Sequence, residues 1–343
     1  MGKLSPTQLR RLLNCIKKNP RVVVPPTAGY DSGVHKIGDM YMVVSTDPCI
    51  GVPKPWFGWL LVNYAASDVA LFGAKPEFCT LELLGPPETP AETFESAMQQ
   101  ACNAADELSM AIVTGHTGTY NGLQQLIGVC TAYGAVSPKR LITPGNAKPG
   151  DSILCTKQMG LETAVNFALT RKAAARRLFG PENAARLSEL VRWQSCVHEA
   201  LQLAEIAGVH AMHDTTEGGL VSALNELAEA SNLGFQADSE QIPVNPEALK
   251  LQKFFRLTDE RVLAMSSTGT ILAAVSPGAK EKALDVLKRN GIPVACIGSL
   301  TKTKSRILTK KGVSVPFPAV ADDPYATILY GKAATASART ARS

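Results

Sequence analysis

Three aspartates stand where a carboxylate is conspicuous. Asp31 lies in AGYDSG (28–33), Asp47 in STDP (45–48) and Asp68 in ASDVA (66–70). A carboxylate among Ala, Val and Leu, as at Asp68, is costly if buried without a partner. Three converging carboxylates would suit Mg²⁺, a hard cation that takes oxygen ligands and is commonly shared with phosphates. Plainer roles exist for each: a turn residue beside glycines at Asp31, a strand terminator before proline at Asp47, a solvated helix residue at Asp68.

Two further segments carry chemistry. In HDTTEGGL (213–220), Asp214 and Glu217 have the spacing of a capping box ahead of the apolar positions Leu220, Ala223, Leu224 and Leu227. Capping alone would account for both acids. A helix start also offers free N–H groups to an anion; Gly218 and Gly219 would let a phosphate approach, and Thr215 and Thr216 would add hydroxyl donors. In TGHTGT (114–119), Gly115, His116 and Thr117 would form a Gly/Thr-rich loop after a short strand, a form that cradles phosphate. His116 there can bind, shuttle a proton or simply hydrogen-bond within the loop. His210 and His213 flank a strand end, but with no third ligand nearby in sequence no zinc site is expected.

Several chemistries lack their signature. There is no GxxxxGK[ST], no GxGxxG after a strand, no HExxH and no GxSxG. Eight cysteines never come closer than 23 residues and form no CxxC, so they read as small hydrophobes of a reducing, cytoplasmic protein. No run of 18 apolar residues is present, so no membrane span is expected.

The apolar pattern supplies elements to position these residues. Strands are expected at 40–45, 78–84, 111–114 and 126–136, with a polar turn after 45, and helices at 57–72 and 92–108. The Pro/Gly-rich stretch 138–150 reads as a boundary. Beyond it come strands at 152–156, 209–212, 234–237, 270–275 and 294–297. Helices are expected around 161–178, 181–206, 215–231 and 279–290. This is an α/β chain of two domains, 21–145 and 146–330. A basic helix, 1–20, precedes them, with Ser5, Pro6 and Gln8 as N-cap, N1 and N3. A small, polar tail, 331–343, reads as disordered.

The 343 residues carry a formal net charge of +5, with 35 Lys+Arg and 30 Asp+Glu. Residues 1–21 hold six basic residues and no acid, and residues 331–343 hold three and no acid, which leaves the body acidic. That argues against a nucleic-acid-binding face, and it marks the N-terminal helix as a possible contact for ATP or a protein partner.

In this order the segments resemble those of the AIR synthetase ATP-binding superfamily, and most closely its hydrogenase-maturation, HypE-like branch. GYDSGV around Asp31 resembles that superfamily's DDAAV-type segment, and Ser45-Thr46-Asp47 its TD after the first strand. Residues 67–76, SDVALFGAKP, resemble NDxAxxGAxP; 114–117 resemble GGDT/GGHT; and 212–220, MHDTTEGGL, is similar to MxDPTRGGL. The resemblance covers about residues 20–330. It implies a PurM-like fold of two domains, each a sheet packed with helices, whose N-terminal domains pair in a homodimer. It further implies Mg-ATP in a cleft, Mg²⁺ on Asp31, Asp47 and Asp68, phosphates near Gly115–Thr117 and Thr215–Gly219, and Asp214 and His116 as catalytic residues. The implied reaction is ATP-dependent activation or phosphorylation of an oxygen on a small molecule, with a thiamine-monophosphate-kinase-like reaction or a nucleotide-binding accessory role as alternatives. The sequence departs from the pattern at His116, where Asp is frequent, at Ser67, where Asn is usual, and at Glu217, where the HypE-like branch has Arg. It ends in TARS without the cysteine of that branch, so carbamoyl transfer to a terminal thiol is not expected.

Overall fold

The computed structural model describes Leu4 and residues 6–331. Helix α1 (Pro6–Leu13) leads into a first sheet of β1 (Val22–Val24), β2 (Gly33–Ile37), β3 (Met40–Ile50), β4 (Phe78–Gly85), β5 (Ala111–Thr119) and β6 (Ile127–Val136). Its strand order is β1-β2-β3-β6-β4-β5. Helices α2 (Phe57–Leu71) and α3 (Ala91–Leu108) belong to the same half of the chain. All but one of the fifteen residues of α2 are buried, because it is enclosed by α3, the sheet and the second half of the chain. An apolar circumference with small residues such as Ala65, Ala66 and Ala70 fits that central place.

The second half begins with β7 (Ser152–Thr156). Helices α4 (Leu161–Thr170), α5 (Lys172–Phe179), α6 (Pro181–Glu189) and α7 (Val197–Ala204) follow. Then come β8 (Val209–Asp214), α8 (Gly219–Ser231), β9 (Gly234–Asp238), α9 (Pro246–Phe255), α10 (Asp259–Leu263), β10 (Ile271–Val275), α11 (Lys280–Arg289), β11 (Val294–Thr301), β12 (Arg306–Lys310), β13 (Val313–Pro316) and α12 (Tyr325–Tyr330). The second sheet has the order β13-β12-β9-β11-β7-β10-β8. The expected α/β class, with two helix-packed sheets, is what the chain adopts.

Several boundaries differ from the sequence reading. Strand β3 continues through Asp47 and Pro48 to Ile50, where a polar turn was expected. Beyond Val44 it has β6 but no longer β2 as a neighbour, and a strand with one open side tolerates proline. Strand β5 likewise runs through TGHTGT to Thr119. Its Gly115 meets the backbone of β4, and a Cβ there would lie 2.3 Å from the Leu81 carbonyl oxygen. The segment 181–206 is broken between α6 and α7. The carbonyls of Trp193 and Ser195, freed from helical bonding, accept hydrogen bonds from Lys157 Nζ at 2.8 and 2.7 Å. Of the expected basic helix, Pro6–Leu13 is helical, and its Arg10 pairs with Glu229 of α8 at 2.9 Å. The proposed N-cap Ser5 and the tail from 332 onward lie outside the described residues.

Candidate functional site: a carboxylate cluster between the two sheets

Asp68 sits in the middle of α2 and is only 6% exposed. Its Oδ2 accepts a hydrogen bond from Ser45 Oγ at 2.8 Å, and that hydroxyl also lies 3.0 Å from the Asp31 carbonyl oxygen. Burial, then the charges of Asp47, Asp31 and Asp214, and a hydrogen bond with Asp47, push the Asp68 carboxyl well above the usual carboxylate range. Four carboxylates are thus close enough to oppose one another's ionisation. Three come from the first half of the chain and Asp214 from the end of β8 in the second.

Asp31 turns toward the second half. Its Oδ2 lies 3.1 Å from Nδ1 of His213, and Asp214 Oδ1 lies 3.9 Å from the same nitrogen. On the far side of the ring, His213 Nε2 is 2.9 Å from Glu226 Oε2 of α8. His213 is 1% exposed. Burial pulls its pKa down, but Asp31, the bond to Glu226 and Asp214 outweigh it and lift the value to about 9. The alignment of β8 explains the convergence. It is an edge strand of the second sheet, paired with β10 through His213↔Leu272 and Asp214↔Ile271, and α2 packs against it.

The structure therefore gathers Asp31, Asp47, Asp68 and Asp214, but not as a single three-aspartate point. Among the described residues, the set whose donor atoms all lie within 4.8 Å of one another is Asp31, His213 and Asp214. Sequence reasoning set His213 aside because its partners are remote in the chain. The only local signal was its place next to Asp214.

The expected phosphate loops are placed differently. Asp214 ends a strand and does not cap a helix, and α8 begins at Gly219 with Gly218 as a left-handed N-cap. The Gly218 N–H already donates to Asp323 Oδ2 at 3.0 Å, so the chain's own carboxylate occupies the helix start. Gly219, at φ +54°, packs where a Cβ would lie 2.4 Å from the Met265 carbonyl oxygen, which leaves no approach for an anion. Thr215 is fully buried, with its Oγ1 directed to the carbonyls of Ser267 and Thr270. Thr216 retains partial exposure beside Asp214.

Gly115, His116 and Thr117 lie on edge strand β5. The register runs Asp47↔Cys130↔Leu81↔Gly115 across β3, β6, β4 and β5. Three inter-strand steps of about 4.8 Å put Gly115 roughly 14 Å from Asp47. The neighbouring row, Pro48↔Val129↔Glu82↔His116, belongs to the opposite face. His116 is exposed, with Nε2 2.6 Å from Tyr120 Oη, and within one chain it does not join the carboxylates.

A second buried charge lies nearby. Glu162, in the first turn of α4, accepts hydrogen bonds at Oε2 from the Thr268 N–H (3.1 Å) and hydroxyl (2.6 Å). Burial outweighs those bonds and, with Asp323 and Glu217, raises its pKa to about 7.

Comparison with known proteins follows the same division of the chain. Residues 29–136 match the N-terminal domain of AIR synthase related proteins, and residues 148–311 match the C-terminal domain. A Methanocaldococcus jannaschii protein, provisionally named a hydrogenase expression/formation protein, is 28% identical over 284 residues, which cover 81% of each chain. Selenide, water dikinase of Carboxydothermus hydrogenoformans is 26% identical over 341 residues, covering 90% of this chain and 95% of the relative. The solved structure of hydrogenase maturation protein HypE in complex with ATP superposes with a TM-score of 0.70 at 21% identity, over 83% of this chain and 86% of the other. With both of its domains matched in order along a two-sheet fold, the chain belongs to the AIR synthase related protein family.

Proposed function

We propose that this chain is an Mg²⁺/ATP-dependent enzyme that activates or phosphorylates an oxygen of a small molecule. The observation that carries the reading is the crowding of Asp68 by Asp47, Asp31 and Asp214, an excess of negative charge that fits a dication. Asp47 and Asp68 would hold Mg²⁺, with Asp31 and Asp214 facing them from either side. When bound, the cation would neutralise phosphate charge during phosphoryl transfer. The similarity to a dikinase and the fold shared with an ATP complex support ATP as the phosphoryl donor.

The chain's own residues have separate tasks in this reading. Ser45 fixes the Asp68 carboxyl through its hydroxyl. Thr216, partly exposed beside Asp214, offers a hydroxyl toward a phosphate or substrate. Gly115 and Thr117 lie on edge strand β5, separated from Asp47 by the buried Cys130 and Leu81, and within one chain they are assigned no contact with a nucleotide held at Asp47. His116, on the other face, is assigned no proton transfer within its own chain.

A homodimer forms through the first sheet. Strand β5 is a nine-residue edge without Asp, Glu, Lys or Arg, and Val113 on it is 56% exposed. Such an edge is a template for pairing with a second copy. All eight cysteines are free thiols, in keeping with the cytoplasm. Among the described residues no helix is long and apolar enough to cross a membrane.

The test combines labelled turnover with two substitutions. Incubation with γ-labelled ATP, Mg²⁺ and a metabolite extract should move label to a metabolite or release it as phosphate. Asp47→Asn and Asp68→Asn should each lower turnover at least 100-fold while the circular dichroism spectrum is unchanged. Normal turnover in both variants would remove the site, and a wild-type chain that neither hydrolyses nor transfers would remove the enzyme.

A further inference from the structure

We propose that Asp31, His213 and Asp214 form a cation position of their own, distinct in chemistry from Asp47 and Asp68, that takes a divalent first-row transition-metal ion. Glu226 holds His213 from behind. The inference rests on the carboxylate cluster being a cation site, and it names a second kind of ion there.

The donor atoms are Asp31 Oδ2, His213 Nδ1 and Asp214 Oδ1, all within 4.8 Å of one another. His213 is 1% exposed and its Nδ1 makes no hydrogen bond; neither does Asp31 Oδ2. Those two atoms are nevertheless 3.1 Å apart. That separation, without hydrogen-bond alignment, is the spacing that two neighbouring ligands of one ion have.

The other ring nitrogen shows why Nδ1 can serve. Nε2 lies 2.9 Å from Glu226 Oε2, so Glu226 accepts the Nε2–H, and a cation binding at Nδ1 would displace the proton there and use the lone pair that faces Asp31 and Asp214. A ligating histidine whose second nitrogen donates to a carboxylate is the usual support of a metal-bound imidazole. Three rigid or packed elements set the geometry: the end of β8, the second turn of α8 and the segment leading into β2.

Donor chemistry selects the ion. Carboxylates alone suit Mg²⁺, which keeps several waters and is held by one or two carboxylates plus phosphate. Adding an imidazole shifts preference from Mg²⁺ toward the first-row transition metals, Fe²⁺ and Zn²⁺ above all, with Mn²⁺, which also takes carboxylate and water oxygens, as the paramagnetic probe of the mixed set. Two carboxylates and a neutral imidazole also balance the charge of one dication. The competing arrangement is an imidazolium that acts itself as the cation between Asp31 and Glu226. In that case no metal nitrogen bond forms.

Mn²⁺ alone, added to the nucleotide-free full-length protein, separates the two. Pulsed electron paramagnetic resonance should show ¹⁴N coupling from a directly bound imidazole. In His213→Gln that coupling should vanish and Mn²⁺ affinity by calorimetry should fall at least tenfold, while Mg²⁺ affinity changes less than threefold. Glu226→Gln should keep the coupling and weaken Mn²⁺ by about 10-fold, at the low end of what loss of a supporting carboxylate costs. This variant also keeps the test decisive if His213→Gln does not fold. Absence of ¹⁴N coupling in the wild type, or wild-type Mn²⁺ affinity in both variants, overturns the proposal. A ¹⁴N-coupled Mn²⁺ in a protein that does not turn over ATP would sustain this site and fail the reaction proposed above; ATP turnover without the coupling does the reverse.

Discussion

Replacing Glu162 by Gln isolates the cost of one buried charge. Glu162 is 7% exposed, and its pKa is lifted from 4.5 to about 7. Because the folded value is the higher one, the folded state binds the proton more tightly than the unfolded chain does. The linked stability is fully present below about pH 4.5 and is lost as pH rises through about 7. The gap between the two values, at about 1.4 kcal/mol per pH unit, amounts to about 3 kcal/mol lost between pH 4.5 and pH 8. Glutamine keeps the acceptor that Thr268 uses through its N–H and hydroxyl and carries no charge at any pH. Urea titrations from pH 5 to pH 8 should therefore show Glu162→Gln close to the wild type at pH 5 and more stable by about 2–3 kcal/mol at pH 8. Parallel pH profiles for the two proteins would refute the reasoning, since they would mean that Glu162 ionises in the folded state at no extra cost.

Two other substitutions test the packing that carries the site. Gly219→Ala should destabilise by about 2–4 kcal/mol in chemical denaturation, because it combines a positive φ with a Cβ forced against the Met265 carbonyl oxygen. Lys157→Met should cost about 3–5 kcal/mol in the same assay, because it strands the buried Glu199, 2.5 Å from Lys157 Nζ, together with three carbonyl acceptors. A loss under 1 kcal/mol in either case would show that the local structure relaxes around the change.

The sequence exposes some of this site and conceals the rest, for physical reasons. Asp68 is conspicuous because a carboxylate inside a mostly apolar helix needs a partner, and α2 is buried over all but one of its residues. Asp47 is visible as the acid that follows a run of strand-forming residues, although the strand continues past it. His213 is hidden because its contact with Asp31 spans most of the chain, and no local spacing records which strand lies at a sheet edge. Two local patterns mislead. Asp214 and Glu217 have capping-box spacing, yet pairing of Asp214 with Ile271 keeps it in a strand. Gly115 and the threonines around it read as a loop, but threonine favours strands and the glycine lets β5 sit close to β4.

The division of the cluster between two halves of the chain has a mechanical corollary. Asp31, Asp47 and Asp68 stand on one side of the junction and Asp214 on the other, so like charges meet across a seam that α2 and β8 otherwise close by packing. In the proposed reading, a protonated His213 would offset part of that repulsion while no ion is bound, and a dication seated there would offset it in the proton's place, so that the ion would act as a rivet between the two halves.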